Sequence, residues 1–307
     1  MTATSGDQFE FAAGGYRAVV TECGATLRVL EYAGRPLVHG FGEDEMSTAG
    51  RGQLLMPWPN RIRDGAYTFD GRDLQLPLSE PAKHNASHGL VRWAAWSPEE
   101  HSRTSASLSY RLMAQSGYPW TVDLHVLYDL SADGLTVTQT ATNLSTRPAP
   151  YASGAHPYLT AGTGPVDGWE LTLPASLRLL ADDRQIPVGE EEVDGTPYDF
   201  RVARPLGSTV LDDAFGDLAR DAGGVATVEV RDPGTGQGAA LWVDTHHPWL
   251  MVFSADVGWD IPRQALAVEP MTAPPDAFRS GRDLVTLAPA GEPGDELSVS
   301  WGIRALE

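Results

Sequence analysis

The chain has 307 residues, of which 42% are apolar and 21% are charged, so it contains enough hydrophobic material for a sizeable core and is too apolar for a disordered protein. Its 22 Lys and Arg residues are outnumbered by 41 Asp and Glu residues. The resulting net charge of -19 makes nucleic acid and anionic membranes poor candidate partners, although it could equally serve solubility alone. Cys23 is the only cysteine, which excludes an intrachain disulfide and a Cys-rich metal site.

The N-terminal segment predicts a cytoplasmic protein. Residues 1–8 lack the basic and apolar regions of a signal peptide, and no apolar run in the chain approaches the roughly 18 residues of a membrane span. A single cysteine also fits a reducing compartment. Export without a leader would leave the same pattern, and the oligomeric state stays open.

Short segments of two-residue hydrophobic alternation recur along the chain and predict β-strands. Pairs of these segments flank the turn sequences Asp70-Gly71, Asp133-Gly134 and Pro233–Gly236, which indicates hairpins. The predicted strands are Tyr16–Glu22, Thr26–Tyr32, Tyr67–Phe69, Leu74–Leu76, Leu124–Leu130, Leu135–Thr142, Ala226–Asp232, Ala239–Asp244 and Trp249–Ser254.

Helices are predicted to be almost absent. The 32 Gly and 23 Pro residues interrupt nearly every window of helical apolar spacing, and only a short helical turn near Pro275–Phe278 is expected. No linker, charge block or internal repeat divides the sequence. The pattern therefore favours one antiparallel β domain of sandwich or barrel type over residues 1–307.

A stiff loop is predicted where Pro57 and Pro59 hold the backbone extended. This loop would present Asn60 and Arg61 as candidate ligand-binding residues, and the guanidinium of Arg61 offers several N–H groups to a polar ligand. Pairing of Arg61 with one of the many carboxylates is the alternative.

Two histidines four residues apart, His84 and His88, have the spacing of a zinc pair on a helix. The Asn, Ser and Gly residues around them indicate a loop instead, and no HExxH pattern is present. The sequence therefore predicts no metal site.

His156 lies directly before Pro157, in a turn-rich segment. The residue before a proline is confined to β or polyproline geometry, so the imidazole can be fixed in place as a proton donor. A purely structural histidine is the alternative. Ser153 does not indicate a hydrolase, because Ala152-Ser153-Gly154 lacks the preceding glycine of a GxSxG elbow.

Glu269 follows the apolar, strand-like run from Leu266 to Val268. Partial removal from water there would raise its pKa and its strength as a base toward a neutral hydroxyl. A buried ion pair is the alternative.

These segments together resemble the ordered motifs of the aldose 1-epimerases, the galactose mutarotases. The resemblance extends from about residue 10 to the C-terminus and rests on six motifs in the family order. They are the run from Pro57 to Gly71, Ser87-His88-Gly89, His156-Pro157-Tyr158, Ile186–Glu190, Leu211–Phe215 and Val268–Thr272.

The resemblance implies an all-β protein, an antiparallel β-supersandwich with a sugar site in a cleft on a sheet face. It also implies an isomerase that interconverts the α and β anomers of a hexose by acid–base ring opening and closure. Matched motif by motif, Glu269 would be the catalytic base and His156 the acid. Arg61, His88 and Asp212 would bind the sugar.

The family pattern places its Asp directly after Leu and three residues before Phe, which selects Asp212 rather than Asp213. The implied partner is a small-molecule sugar, and the chemistry needs no metal, nucleotide or redox cofactor. We expect a cationic His156 and an anionic Glu269 that face one another at moderate distance.

Within the family, Trp58, the run His88–Trp93 and Gly258-Trp259 resemble a bacterial branch related to sulfoquinovose mutarotases. The sugar therefore stays open among galactose, glucose, sulfoquinovose and other aldoses. In that branch Arg92 or Arg263 would receive an anionic group at C6, unless either is a surface ion pair.

Two rival functions follow from the same residues. A sugar-binding or sensor protein would keep the cleft without turnover, although both Glu269 and His156 are present. A glycoside hydrolase or lyase would need paired carboxylates about 5 to 9.5 Å apart, for which Glu269 and Asp212 are the candidates.

Overall fold

The computed structural model describes residues 3–257 and 262–307, and its architecture confirms the all-β prediction. The first strands are β1 (Gln8–Ala13), β2 (Tyr16–Thr21), β3 (Leu27–Tyr32), β4 (Arg35–Pro36), β5 (Leu54–Leu55), β6 (Arg61–Arg63), β7 (Ala66–Phe69), β8 (Arg72–Gln75) and β9 (Asn85–Ser87). The middle strands are β10 (Ser97–His101), β11 (Ser105–Leu112), β12 (Val122–Ser131), β13 (Gly134–Asn143), β14 (Ala149–Tyr151), β15 (Gly154–Ala155), β16 (Tyr158–Leu159), β17 (Glu170–Thr172) and β18 (Ala175–Ala181). The last strands are β19 (Pro187–Glu192), β20 (Arg204–Pro205), β21 (Asp212–Leu218), β22 (Ala226–Arg231), β23 (Gly238–Val243), β24 (Trp249–Phe253), β25 (Leu266–Met271), β26 (Val285–Leu287) and β27 (Glu296–Leu306).

Helical structure in the described ranges is confined to α1 (Ala277–Ser280) and to 3-10 turns at Pro81–Lys83 and Val166–Gly168. The helical turn predicted near Pro275–Phe278 is therefore confirmed, shifted slightly toward the C-terminus. No helix in the described part of the chain is long and apolar enough to cross a membrane.

Two large sheets dominate the fold. The first has nine strands in the order β10-β11-β12-β13-β27-β23-β22-β17-β20. The second has eight strands, in the order β19-β18-β21-β24-β25-β15-β5 with β16 also paired to β25. A four-stranded sheet, β1-β2-β3-β4, and the two-stranded ladders β6-β9, β7-β8 and β14-β26 accompany them.

The predicted hairpins are confirmed, with strand ends that differ by a few residues. Asp70 and Gly71 both have positive φ, 49° and 68°, as a type I′ turn between β7 and β8 requires. The segments on either side of Asp133-Gly134 form the ladder β12-β13, and those around Pro233–Gly236 form β22-β23.

The hydrophobic core lies between facing surfaces of the two large sheets. In β12 every second residue from Val122 to Leu130 is buried, and these residues join the main hydrophobic cluster. Leu250 and Val252 of β24 and Val268 of β25 join the same cluster from the eight-stranded sheet. Each large apolar side chain buried in this way contributes roughly 1.5–3 kcal/mol to stability.

One buried amide links the two sheets. The Gln139 side chain of β13 donates from Nε2 to the carbonyl of Gly154 in β15 (3.2 Å) and accepts from Nε1 of Trp301 in β27 (2.9 Å). These bonds satisfy polar groups of a side chain that has little access to water. They also fix β15, directly before His156, against the nine-stranded sheet.

Candidate active site

Strand register brings the two predicted acid–base residues together. His156 lies between β15 and β16, and both strands pair antiparallel with β25, which carries Glu269. In this antiparallel register Tyr158 lies opposite Ala267. Two residues before Tyr158 and two residues after Ala267, His156 therefore lies opposite Glu269. Because side chains alternate along a strand, Glu269 points away from the core that Val268 faces.

The carboxyl group and the imidazole are in direct contact. Glu269 Oε1 lies 3.2 Å from His156 Nε2, and the two residues are only 2% and 5% exposed. Burial lowers the pKa of His156 to about 3, and the positive charge of Arg92 adds to this effect. Burial raises the pKa of Glu269 well above its ordinary value, and the negative charge of Asp212 adds to it. Burial therefore disfavours the charge on both groups, which opposes the ion pair expected from the sequence.

The contact lies at the floor of a cleft of about 570 Å³, within the usual range for small-molecule sites. The side chains that line the cleft around this contact are partly polar and partly apolar. The cleft is lined by Met46, Ser47, Thr48, Ala49, Gly50, Asn60, Arg61, Ser79, Glu80, Lys83, Ser87, His88, Arg92, Trp93, His156, Tyr158, Asp212, Met251, Phe253, Val257 and Glu269.

Several buried polar atoms of the cleft residues have no hydrogen-bond partner within residues 3–257 and 262–307. They are Oε2 of Glu269, Nδ1 of His156, Oδ1 of Asn60 and Nδ1 of His88. A buried polar atom without a partner is costly, so a group of them in one cleft is typical of a surface that binds a polar ligand.

The structure places Asp212 in the cleft and Asp213 on the opposite face of β21. Asp212 lies opposite Phe253, another cleft residue, whereas Asp213 forms an ion pair with Arg178 (2.8 Å). Burial raises the pKa of Asp212, and the charge of Arg61 opposes that rise. The choice of Asp212 over Asp213 thus agrees with the direction that each side chain takes from the strand.

Asn60 and Arg61 enter the cleft from the proline-rich loop. Asn60 has a left-handed backbone (φ 51°) and is 2% exposed, and Arg61 begins β6. Arg61 also forms the carboxylate pair that was the alternative interpretation, with Nε 2.7 Å from Glu80 Oε2. Although burial opposes the charge, the hydrogen bonds and charge of Glu80 keep the pKa of Arg61 above its ordinary value.

The two histidines of the second segment have separate environments. His84 is exposed at the surface with Nδ1 2.9 Å from Asp64 Oδ1. His88 has a left-handed backbone (φ 60°) and lines the cleft, with its ring centroid 5.5 Å from that of His156. Burial, together with the charge of Arg92, lowers the pKa of His88 well below its ordinary value.

The two arginines considered for an anionic group also differ. Arg92 lines the cleft, and burial lowers its pKa. Arg263 instead pairs with Asp256 (2.7 Å) and Asp167 (2.9 Å). Gly258-Trp259, one of the segments that resembles the bacterial branch, lies outside the described residues.

Two neighbours of His156 were not predicted as functional residues. The ring of Tyr158 stacks on the imidazole, with centroids 4.9 Å apart and planes 16° apart, and its hydroxyl donates to the Ala49 carbonyl (2.8 Å). Gly50 (φ 77°) packs so closely that an added Cβ would lie 2.6 Å from Cδ2 of His156. The only sequence signal was the position of Tyr158 within the motif His156-Pro157-Tyr158.

The two-sheet antiparallel fold and the polar cleft with its buried carboxyl–imidazole pair have the features that the family resemblance implied. The chain belongs to the aldose 1-epimerase family, whose model, described as aldose 1-epimerase, matches residues 7–299. The sequence is 36% identical over 290 residues to the uncharacterized protein YihR of Escherichia coli (strain K12), covering 94% of this chain and 91% of that protein. It is 28% identical over 222 residues to the galactose mutarotase of Bos taurus, covering 66% of this chain and 62% of that protein.

Solved structures share the fold. The GalM/aldose epimerase homologue from C. elegans superposes with a TM-score of 0.85 at 21% identity, covering 98% of this chain and 99% of that one. The galactose 1-epimerase from Lactobacillus acidophilus NCFM superposes with a TM-score of 0.77 at 21% identity, covering 96% and 92%. The galactose mutarotase-like fold is therefore confirmed, and family membership makes the protein an isomerase rather than a sensor or a hydrolase.

Proposed function

We propose that the protein is a mutarotase that interconverts the α and β anomers of a hexose, with Glu269 as base and His156 as acid. The observation that carries this proposal is the contact between a buried carboxyl group and a buried imidazole at the floor of a sugar-sized cleft. Galactose, which is named in the descriptions of two relatives, is the first neutral sugar to test.

The reaction needs one proton removed from the anomeric hydroxyl O1 and one delivered to the ring oxygen O5. Glu269 accepts the O1 proton as the C1=O bond forms, the C1–O5 bond breaks, and His156 gives its proton to O5. Rotation about C1–C2 turns the other face of the aldehyde toward O5. The same transfers in reverse then close the ring, so His156 regains its proton, Glu269 gives its proton back to O1, and nothing is consumed.

In the ligand-free pair burial favours the other arrangement of that proton, a neutral imidazole beside a protonated carboxyl group. The two arrangements differ by transfer of one proton across the 3.2 Å contact, so they belong to one coupled pair. A sugar that inserts between the two groups supplies hydroxyl dipoles that stabilise the charged arrangement. Each positioned group then contributes about 10² to 10⁴ in rate.

The remaining cleft residues would hold the sugar hydroxyls. Arg61 and His88 offer N–H donors, and Asp212 offers carboxylate oxygens. The unpartnered Oδ1 of Asn60 and Nδ1 of His88 are suited to hydroxyl groups that are present throughout the reaction. Such contacts bind substrate and transition state alike, so they contribute affinity more than rate.

Arg92 supports a finer proposal, an aldose with an anionic group at C6 such as sulfoquinovose. Arg61 and Arg263 each pair with a carboxylate, whereas Arg92 forms no ion pair within the described ranges. Its charge acts on His156, the residue proposed to protonate O5. C6 is attached to C5, the neighbour of O5, and Arg92 lines the same cleft as His156, so a C6 anion lies within the part of the sugar that this cleft would enclose.

The test is anomer exchange measured by NMR over a panel of glucose, galactose, glucuronic acid and sulfoquinovose. Wild-type protein should accelerate exchange of at least one of them. Replacement of the Arg92 cation in Arg92→Met should lower kcat/KM at least about tenfold more for the anionic sugars than for the neutral ones. No exchange with any aldose would refute the mutarotase proposal, and equal losses for neutral and anionic sugars would refute the anionic part.

A further inference from the structure

Two cleft residues are joined to side chains whose role the sequence did not predict. Glu80 accepts hydrogen bonds from Arg61, and Gln185 donates a hydrogen bond to Asp212. The Glu80 and Gln185 side chains come from separate turns, residues 80–85 and residues 182–186, which are hydrogen-bonded to each other.

The ion pair between Arg61 and Glu80 is bidentate. Arg61 donates from Nε to Glu80 Oε2 (2.7 Å) and from Nη2 to Glu80 Oε1 (3.0 Å), with the two side chains 13% and 26% exposed. Two parallel bonds fix the plane of a guanidinium group as well as its place. Because the pair uses Nε and Nη2, Nη1 is the nitrogen that remains for a ligand.

Asp212 is held in a similar way, by a hydrogen bond from the neutral amide group of Gln185. Gln185 donates from Nε2 to Asp212 Oδ2 (2.7 Å), which leaves Oδ1 as the second acceptor oxygen. Gln185 has a left-handed backbone (φ 62°), and its N–H bonds the Asp182 carbonyl (2.8 Å). The turn is closed further by Asp182 Oδ1, which accepts from the backbone N–H groups of Arg184 (2.9 Å) and Ile186 (3.0 Å).

Arg184 ties the two turns together. Its guanidinium donates to the carbonyls of Lys83 (2.9 Å) and His84 (2.7 Å) and to Asp64 Oδ1 (2.8 Å). In return, the Nδ2 of Asn85 donates to the Arg184 carbonyl (2.8 Å). Asn85 is fully buried, whereas the Arg184 side chain is 33% exposed.

We propose that Glu80 and Gln185 are positioning residues, which orient Arg61 and Asp212 toward the sugar, and that Arg184 holds their turns in a common frame. The inference rests on the proposed function, because it takes Arg61 and Asp212 to be sugar-binding groups. Each positioning residue occupies one side of its binding partner and so directs the remaining polar atom, Nη1 or Oδ1, to the ligand.

The test is a pair of double-mutant cycles on anomer exchange. Glu80→Gln and Gln185→Leu should each raise KM about tenfold, the worth of one charge-assisted hydrogen bond, with kcat changed less than about twofold. In an Arg61→Ala background Glu80→Gln should add nothing further, and in an Asp212→Ala background Gln185→Leu should add nothing further.

Arg184→Met extends the test to the frame. It touches neither Arg61 nor Asp212, so a rise in KM with nearly constant kcat would support the common frame, and an unchanged KM would overturn that part.

Two control variants break comparable bonds away from the cleft. Asp123→Asn weakens the bidentate pair with Arg111 on an exposed strand face, and Gln8→Leu removes donors to Ser5 and Gly6. Both should leave KM unchanged whatever they do to thermal stability.

The outcomes separate this inference from the proposed function. A wild-type protein without exchange activity on any aldose would reject the function, and the same cycles would then be read from calorimetric sugar affinities. An unchanged KM in Glu80→Gln and Gln185→Leu, or full effects that persist when Arg61 or Asp212 is already removed, would overturn the positioning roles.

Discussion

The replacement Glu269→Gln tests the chemistry most directly, because it keeps the volume of the side chain and removes its basicity. Glu269 is buried in contact with His156, and its second oxygen has no partner in the described ranges. Anomer exchange should therefore fall by at least about 10², the lower end for loss of a general base, while sugar still binds.

The Glu269→Gln variant should lose activity without losing thermal stability. Burial raises the pKa of Glu269, so the folded protein holds this proton more tightly than the unfolded chain does. The free energy of unfolding therefore falls as pH rises above the ordinary glutamate pKa, and at neutral pH the buried carboxyl group works against folding. A neutral amide removes that effect, so the variant should be at least as stable as wild type. If Glu269 were a structural ion-pair partner, its loss would instead cost roughly 3–5 kcal/mol.

One preparation of each protein is sufficient for the assay: thermal unfolding, sugar affinity by calorimetry and exchange by NMR. Glu190→Gln is the matched control, because Glu190 pairs with Arg282 at the surface (2.9 Å) and lies outside the cleft. It should change none of the three measurements appreciably. A folded, sugar-binding Glu269→Gln protein with wild-type exchange would refute the mechanism.

Three further predictions concern the surroundings of the pair. Arg61→Ala and Asp212→Ala should raise KM more than they lower kcat in steady-state exchange, because the two side chains are proposed to bind the substrate and the transition state equally well. A large loss of kcat at constant KM would instead make either residue a catalytic one. The pH profile of kcat/KM should show no limb near pH 6.5, the ordinary histidine value, because burial lowers the pKa of His156 to about 3 and raises that of its carboxyl partner; a limb near pH 6.5 would contradict this. Gly50→Ala should reduce anomer exchange at least about tenfold, because the added Cβ would displace the His156 imidazole. The control is Gly34→Ala, which has nearly the same φ (79°) but nothing within 4 Å of the added Cβ; it should lose a similar stability of roughly 1 kcal/mol and keep its activity. Equal exchange rates in the two variants would argue against the contact between Gly50 and His156.

Hydrophobic alternation predicted the hairpins β2-β3, β7-β8, β12-β13 and β22-β23, but it did not predict the long strands β11 and β27. The ladder β12-β13 has a clear period of two over ten residues in each strand, and the Asp70-Gly71 turn has the residues that a type I′ geometry demands. β10 was missed because Ser97–His101 is exposed throughout and has no apolar face to reveal it. β15 and β16 were missed because two residues are too few to show a period.

The candidate site was predictable as residues but not as geometry. The family resemblance selected His156, Glu269 and Asp212, yet the direct contact of the first two depends on strands more than a hundred residues apart in sequence. Glu80 and Gln185 have no local signature, because each acts on a partner that only folding brings within reach. Burial of the pair, which disfavours the expected charges, is likewise a property of the packed sheet.

The common frame formed by the turns 80–85 and 182–186 also bears on how substrate range can be changed. A shift of one residue in β25 would turn Glu269 into the core, so the strands that carry the chemistry do not accept insertions. Turns accept changes of length and sequence far more readily. Here, however, a graft of one turn alone would strand Arg184 or Asn85 without its bonding partner. The smallest transplantable specificity module is therefore the two turns together, moved as one piece onto an unchanged catalytic floor.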